Sequence, residues 1–431
     1  MEFKKMATTR SVQFAYSKNT NAPQLTHVQG TMIAMLDAVL VNGYGSQTIQ
    51  TLASSSSGVI TATFGTAHNY KAGQILLIEG ASDSSFNGRF RVDTVSGNNL
   101  TFKEKLSGAK TTAGTITAKV APLGYQIAFT DGANKRAYKS LNPENALYYI
   151  FDDNLWSGWG AGYAKICNVG LALEMTEINT ISGMQCPFNP ANPNQNWQVD
   201  GTGSGARPGW AKLVYGCWSQ GQSAYLTSGS SGNHIWSVVG NDEGFYLIQA
   251  CVSDNGNPNQ VGTVNYFGKY ESLNENPFNY LICANHKRNT AGEYQEVESA
   301  VFSPSKTQAI YYADCKMFAS KDGVTSSIGI SPIFPNNGTS NTFYSESKPN
   351  FTDSTGVGLI KVPFIAQQGA PIEGYLPHVY VPLLSRPFVI NSMAQYAFLV
   401  EKHENGNHFI EINGLCSYAP GVATLFFELK D

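Results

Sequence analysis

Residues 234–252 read His-Ile-Trp-Ser-Val-Val-Gly-Asn-Asp-Glu-Gly-Phe-Tyr-Leu-Ile-Gln-Ala-Cys-Val, and this stretch decides how the remainder is organised. Two apolar runs flank Gly240-Asn241-Asp242-Glu243-Gly244, a spacer of residue types that tolerate positive φ, so the pattern predicts a hairpin. Trp236 and Val238 share one strand face. Beyond the spacer, Phe245, Leu247 and Gln249 share one face, with Tyr246, Ile248 and Ala250 on the other. Both faces of this second strand are largely apolar, which predicts a strand covered on both sides.

Working outward, residues 29–42 hold the one helical pattern. Ile33, Leu36 and Leu40 repeat at three and four, beside Met32, Met35 and Val39, giving one broad apolar face. Thr26 or Thr31 is placed to cap its start and Gly43 to end it. A Met-rich face of this kind reads as packing surface, because methionine adapts to irregular cores. From residue 58 the texture changes to short runs at 59–64, 74–79, 89–95, 99–104 and 114–120, separated by turn residues. That spacing predicts a small antiparallel barrel or sandwich, separated from the helix by the serine run 54–57 and removable as a unit. Strands are further expected at 147–151, 264–270, 279–284 and 424–429, with a second hairpin at 396–413 around Asn405-Gly406. The prolines of 375–382 predict an edge strand or extended connection there. The stretches 186–232 and 331–358, rich in Asn, Gly, Ser and Pro, read as long surface excursions.

The expected fold class is therefore mainly β: a multi-domain antiparallel β-sandwich/barrel architecture with one N-terminal amphipathic helix and an inserted small β-barrel. The domains are 1–57 with 121–153, the inserted module 58–120, and a C-terminal β-rich domain 154–431. Composition agrees, with only 14% charged residues against 42 glycines, 22 tyrosines and 23 phenylalanines in 431 residues. A formal net charge of −3 argues against nucleic acid as the main partner, because phosphate binding needs a clustered basic surface. No apolar run approaches the roughly 20 residues of a membrane helix, and the start of the chain lacks the apolar middle of a signal peptide, so cytoplasmic synthesis without export is expected.

Signals for chemistry are few. The seven cysteines are widely spaced and form no Cys-x-x-Cys pair, and Cys251 and Cys283 read as small buried hydrophobes. His403-Glu404-Asn405-Gly406-Asn407-His408 has one residue too many for a zinc-protease motif, and its Asn-Gly reads as a hairpin tip instead of the helix such a site needs. Asp152-Asp153 could form half of a glycosidase carboxylate pair, but a strand ending in two aspartates reads more readily as a solvated turn. His68, His234, His286 and His378 are scattered singly, as hydrogen-bonded structural histidines usually are. No catalytic, cofactor-binding or metal-binding residue is assigned, and no cofactor is expected.

Several segments resemble virion structural proteins of tailed bacteriophages. They are Ala22-Pro23-Gln24-Leu25, the run from Met32 to Tyr44, Ile78-Glu79-Gly80-Ala81 with Phe86-Asn87-Gly88, and the run from Gly114 to Gly124. Asn134-Lys135-Arg136-Ala137-Tyr138 and Val239-Gly240-Asn241-Asp242-Glu243-Gly244-Phe245-Tyr246-Leu247 continue the likeness; Tyr266-Phe267-Gly268 and Gly374-Tyr375-Leu376-Pro377 echo it more weakly. The chain departs from the family pattern at Val39, Tyr44 and Tyr125, each time keeping apolar character. The resemblance implies a particle component and not an enzyme, of the tail or neck in preference to head decoration. Its partners would be other virion proteins and copies of itself, with no nucleic acid and no membrane. Its place would be the virion, assembled in the host cytoplasm. Trp197, Trp210 and Phe343, on the long loops, are the candidate interface anchors, because aromatic residues dominate interface energetics. The rival readings are a glycan-binding or glycan-degrading receptor protein, with Trp197, Trp210 and Trp218 lining a groove, and an unrelated β-sandwich binding protein of the host cytoplasm.

Overall fold

A computed structural model describes residues 7–155, 160–163, 165–186, 212–216, 229, 231–250, 262–273, 279–283, 315–317, 331–332, 359–365, 372–382, 399–402, 408–413 and 424–430. The fold is mainly β. The predicted hairpin forms, with Trp236–Asn241 antiparallel to Gly244–Ala250 and Gly240 opposite Phe245. Gln13–Tyr16 joins one side and Gly262–Lys269, Tyr280–Cys283 and Cys315–Met317 extend the other, making a six-stranded central sheet.

Every residue of Gly244–Ala250 is buried, and the strand's period of two sends its side chains into two different cores. Phe245 and Leu247 enter the main core with Trp236, Val238 and Phe267. Tyr246 and Ile248 enter a second core with Phe14, Val264, Leu376, Leu425 and Phe427. That second core lies against the C-terminal sheet, in which Leu359–Ile365, Ile372–Pro382, Thr424–Glu428, His408–Asn413 and Leu399–Lys402 follow one another.

The hairpin tip differs from an ordinary solvated turn. None of the positive-φ residues falls between 240 and 244, and Asn241 and Asp242 are 4% and 1% exposed. The glycines serve close packing instead of turn dihedrals. A Cβ on Gly244 would stand 2.6 Å from the Tyr266 hydroxyl, and one on Gly268, at φ +144°, would stand 2.4 Å from Gly244 Cα.

The helix forms as Thr31–Leu36 and continues as a π-helical stretch Asp37–Asn42, with Met32, Ile33, Met35, Leu36, Val39 and Leu40 all buried. Gly43 ends it at φ +70°. Its last carbonyls accept from a distant segment, Leu123 N–H to Val39 at 3.0 Å and Gly124 N–H to Leu40 at 3.3 Å. No local side chain caps its start; the expected Thr31 hydroxyl bonds Val28 and Thr26 carbonyls instead.

The barrel is present and closed, and it is larger than the sequence pattern indicated. Tyr44–Ser54 pairs with both Val59–Phe64 and Thr117–Val120, completing a ring with Ile75–Glu79, Gly88–Ser96 and Asn99–Lys105. The serine run is consequently a turn between two barrel strands, where Gly58 N–H donates to Ser55, and not a linker. The long, alternating 44–54 strand was concealed by its Gln and Thr residues. Removing 58–118 would strip it of Val59–Phe64, of Lys110–Thr111 and of all its pairing with Thr117–Val120 except Tyr44 opposite Val120.

A further antiparallel sheet holds Tyr125–Asp131, Lys135–Ser140, Tyr148–Asp152, Lys165–Glu177 and Thr180–Cys186, with Lys212–Tyr215 paired to Lys165–Asn168; it runs across the expected boundary at 153/154, and it draws Leu213 and Tyr215, in the expected surface excursion 186–232, into the main core. Its inner face, the helix, the barrel interior and the central hairpin contribute to one continuous core. Ile372–Pro382, expected at an edge, is an interior strand paired on both sides. The ladder skips register around Lys361/Pro363, which leaves Pro377 and His378 (φ +59°) in a bulge where a missing N–H is tolerated.

Candidate functional site

Three buried or half-buried polar centres stand out among the described residues, and each draws on elements far apart in sequence.

The first is the hairpin tip. Asn241 carbonyl accepts the Tyr125 hydroxyl at 3.0 Å, and Asp242 carbonyl accepts Ser140 Oγ at 2.7 Å and Asn145 Nδ2 at 2.8 Å. Glu243 carbonyl accepts Tyr149 Oη at 3.2 Å, while Asn241 Nδ2 donates to the Arg10 carbonyl at 3.0 Å. Burying this tip without partners would cost about 1–3 kcal/mol per polar group, so its strands and the 125–149 segment hold each other in register. Next to it, Arg91, fully buried on the barrel, donates to the carbonyls of Val12 and Gly73, both at 3.0 Å. Arg89 donates to Gln13 and Pro122, and burial pulls its guanidinium down to about 10. These arginines fasten barrel to N-terminal strand.

The second centre is Asp153. Tyr149, Phe151 and Asp153 lie at i, i+2 and i+4, so the strand's inward face carries the carboxylate into the main core, where it is 0% exposed. Its oxygens accept the Tyr215 hydroxyl at 2.7 Å and the Gly30 N–H at 2.8 Å. Asp153 thus caps the helix start from 123 residues away by accepting the N–H of Gly30, the N-cap residue. Burial pushes its carboxyl up to about 8, against the lowering effect of these donors. Asp152, on the alternate face, pairs with Lys135 Nζ at 3.2 Å. Asp152 also accepts the Asn154 N–H at 3.1 Å, so the turn reading holds for Asp152, whereas Asp153 is buried and holds the helix start.

The third is a cleft of about 490 Å³ between the central sheet and the Pro377–His378 bulge. Glu243 and Lys269 pair at 3.5 Å on one side of it, and Glu271 pairs with Lys361 on another. Tyr246 donates its hydroxyl to the Pro377 carbonyl at 2.8 Å and Tyr266 to the Lys269 carbonyl, and both rings are buried in the second core behind the cleft. Burial lowers the affinity of His378 for a proton, with Glu271 and Glu428 opposing.

The four singled-out histidines are not brought together among the described residues. His68 is buried in the barrel, stacked 5.3 Å from Tyr70, whose N–H its Nδ1 accepts. His234 pairs with Leu25 in a two-residue ladder, His378 lines the cleft, and His286 lies outside the described residues. His408 opens a strand opposite Lys402, so strands and not a helix flank the 403–407 tip, which itself lies outside the description. Trp197, Trp210, Trp218, Phe343 and Cys251 also lie outside it. Cys167 is a buried free thiol that burial holds well above its usual range.

No family model matches the chain, and no curated protein matches it. Among solved structures it is similar to the phage phi92 endosialidase, at 8% identity over 82% of this chain and 72% of that chain, with a TM-score of 0.18. A superposition that loose carries no argument about shared fold or shared activity.

Proposed function

We propose that this chain is a structural subunit of a tailed-bacteriophage particle, of its tail or neck, acting through assembly with copies of itself and with other virion proteins. The observation that carries the reading is where the phage-like segments fall. The 239–247 run is the buried hub to which Tyr125, Ser140, Asn145 and Tyr149 bond. The 32–44 run is the buried helix, and the Asn134–Tyr138 segment clamps it through Tyr138 Oη on Asp37 at 2.6 Å and Arg136 Nε on Asp37 at 3.4 Å. In the barrel, Asn87 bonds both the N–H and carbonyl of Ala81 while Phe86 is fully buried. The resemblance is therefore to a framework, each segment supporting the next, which is what a repeated building block requires.

The same framework occupies the carboxylates that a hydrolytic reading would need at 152–153, in a helix cap and an ion pair. Closed-ring assembly uses heterologous contacts between different faces of one subunit, and Trp197, Trp210 and Phe343, all outside the described residues, are the anchors this reading assigns to them. Alanine at Trp197 and Trp210 is expected to leave the purified subunit folded and to reduce its incorporation into particles. Immunogold labelling of an epitope-tagged subunit separates tail or neck from head surface. Normal assembly of both alanine variants, or a reducing-end signal from host glycans treated with the natural protein, would overturn the proposal.

A further inference from the structure

The hairpin of Lys165–Glu177 and Thr180–Cys186 does not run straight. Its ladder shifts register between Ala172 and Glu174 and again between Met175 and Glu177, and such bulges bend a strand. The end of the hairpin lies back on the outer face of its own sheet, where Met175, Ile178 and Ile181 pack with Ala137, Ile150 and Ala172. This brings the turn residue Asn179 onto Lys135, 44 residues away, whose Nζ donates to Asn179 Oδ1 at 2.6 Å. Lys135 also lies directly opposite Asp152 in the neighbouring strand, with Nζ 3.2 Å from Asp152 Oδ2. The other carboxylate oxygen of Asp152 accepts from Asn154, the N–H at 3.1 Å and Nδ2 at 2.8 Å, which fixes the carboxylate with Oδ2 towards the amine.

Lysine is rarely buried, yet the Lys135 side chain is 5% exposed, while Asn179 is exposed. An ion pair would need Asp152 alone. The second contact adds an electrophile, so a desolvated amine touches a carboxamide and a carboxylate at once, and the carboxamide has an outlet to solvent. Groups held in reacting geometry gain effective molarities of about 10⁵–10⁸ M, which is how an otherwise inert carboxamide becomes a target for an amine.

We propose that Lys135 and Asn179 join in an intramolecular isopeptide bond, with Asp152 as the proton carrier. Asp152 takes one proton from the ammonium, leaving a lone pair on Nζ. Nζ attacks Asn179 Cγ, and the carbonyl π pair moves onto Oδ1. The Asp152 carboxyl protonates Nδ2 and accepts the second proton from Nζ. The pair on Oδ1 returns, the Cγ–Nδ2 bond breaks and ammonia leaves. An amine and a carboxamide thus become an amide and ammonia, with no oxidant and no co-reactant. The bond staples Lys135–Ser140 to the hairpin end across Tyr148–Asp152, and it stands or falls apart from the assembly reading.

Intact mass spectrometry of the purified full chain tests it, followed by tandem mass spectrometry of a protease digest. The natural protein is expected to weigh one ammonia less than its sequence and to yield a branched peptide joining the segments around Lys135 and Asn179. Lys135→Arg and Asn179→Ala are each expected to keep the full sequence mass. The second change lies on an exposed turn, so it supplies a folded comparison should the first not fold. Sampled at intervals after synthesis, Asp152→Ala is expected to form the bond about 10²–10⁴-fold more slowly. An asparagine that closes on its own backbone as a succinimide also sheds ammonia. A deficit that persists in both variants, or one without the branched peptide, therefore overturns the inference. Full mass in the natural protein does so too, as does bond formation in Asp152→Ala at the natural rate.

Discussion

Replacing Asp153 by asparagine should alter how stability depends on pH, and the direction follows from its burial. In the unfolded chain the carboxyl ionises near 3.8, and in the folded protein burial moves this to about 8. Between those values the native state holds a proton that the unfolded state has released, so stability falls as pH rises through the window and levels off above it. Each pH unit of full one-proton difference is worth about 1.4 kcal/mol. The whole window gives on the order of 5 kcal/mol as an upper limit, since local opening at the helix start relieves part of it. Asparagine presents one acceptor and one donor group, as the protonated acid does. Asp153→Asn should therefore match the natural protein in acid and gain on it progressively towards about pH 8. Asp153→Ala should instead lose about 2–6 kcal/mol, because the Tyr215 hydroxyl and the Gly30 N–H are stranded at about 1–3 kcal/mol each. Urea denaturation at a series of pH values compares the three proteins. Parallel curves for Asp153→Asn and the natural protein, or a natural protein gaining relative stability as pH rises, would refute the reasoning.

Arg91→Met should cost about 2–4 kcal/mol by removing charge-assisted bonds to Val12 and Gly73, and should raise amide exchange in Gln13–Tyr16; unchanged exchange there would argue against the clasp. Gly268→Ala places a Cβ 2.4 Å from Gly244 Cα at φ +144°, and a loss of at least about 2 kcal/mol is expected in the same denaturation assay, with an unchanged midpoint as the contrary result. Leu36→Ala should cost about 2–5 kcal/mol, since Leu36 is 0% exposed in the main core; a cost well under about 1 kcal/mol would mean an exposed helix face.

Elements with strong local periodicity were legible in the sequence. The two-sided burial of Gly244–Ala250 follows from an apolar residue at nearly every position, and the helix from its three-and-four spacing. The barrel was legible except for Tyr44–Ser54, where Gln47, Thr48, Gln50 and Thr51 gave no apolar run to set it apart from the helix's exit. The buried cap was also within reach, because Tyr149, Phe151 and Asp153 alternate on one face; reading the double aspartate as a turn ignored that period. The cleft was not legible. Glu243, Lys269, Glu271 and His378 come from three separated stretches, and no local spacing relates them. The one local sign was Pro377 inside an apolar run, which a paired strand accommodates only through a bulge.

Quantitative mass spectrometry of gradient-purified particles, from cells producing this chain together with its phage, tests the central claim most directly. A particle subunit should co-sediment with the tail proteins at a fixed copy number per particle that persists through washing in high salt, and that number should be a multiple matching a closed ring. Recovery of the chain only in the soluble lysate, or at a copy number that varies between preparations, would contradict the account.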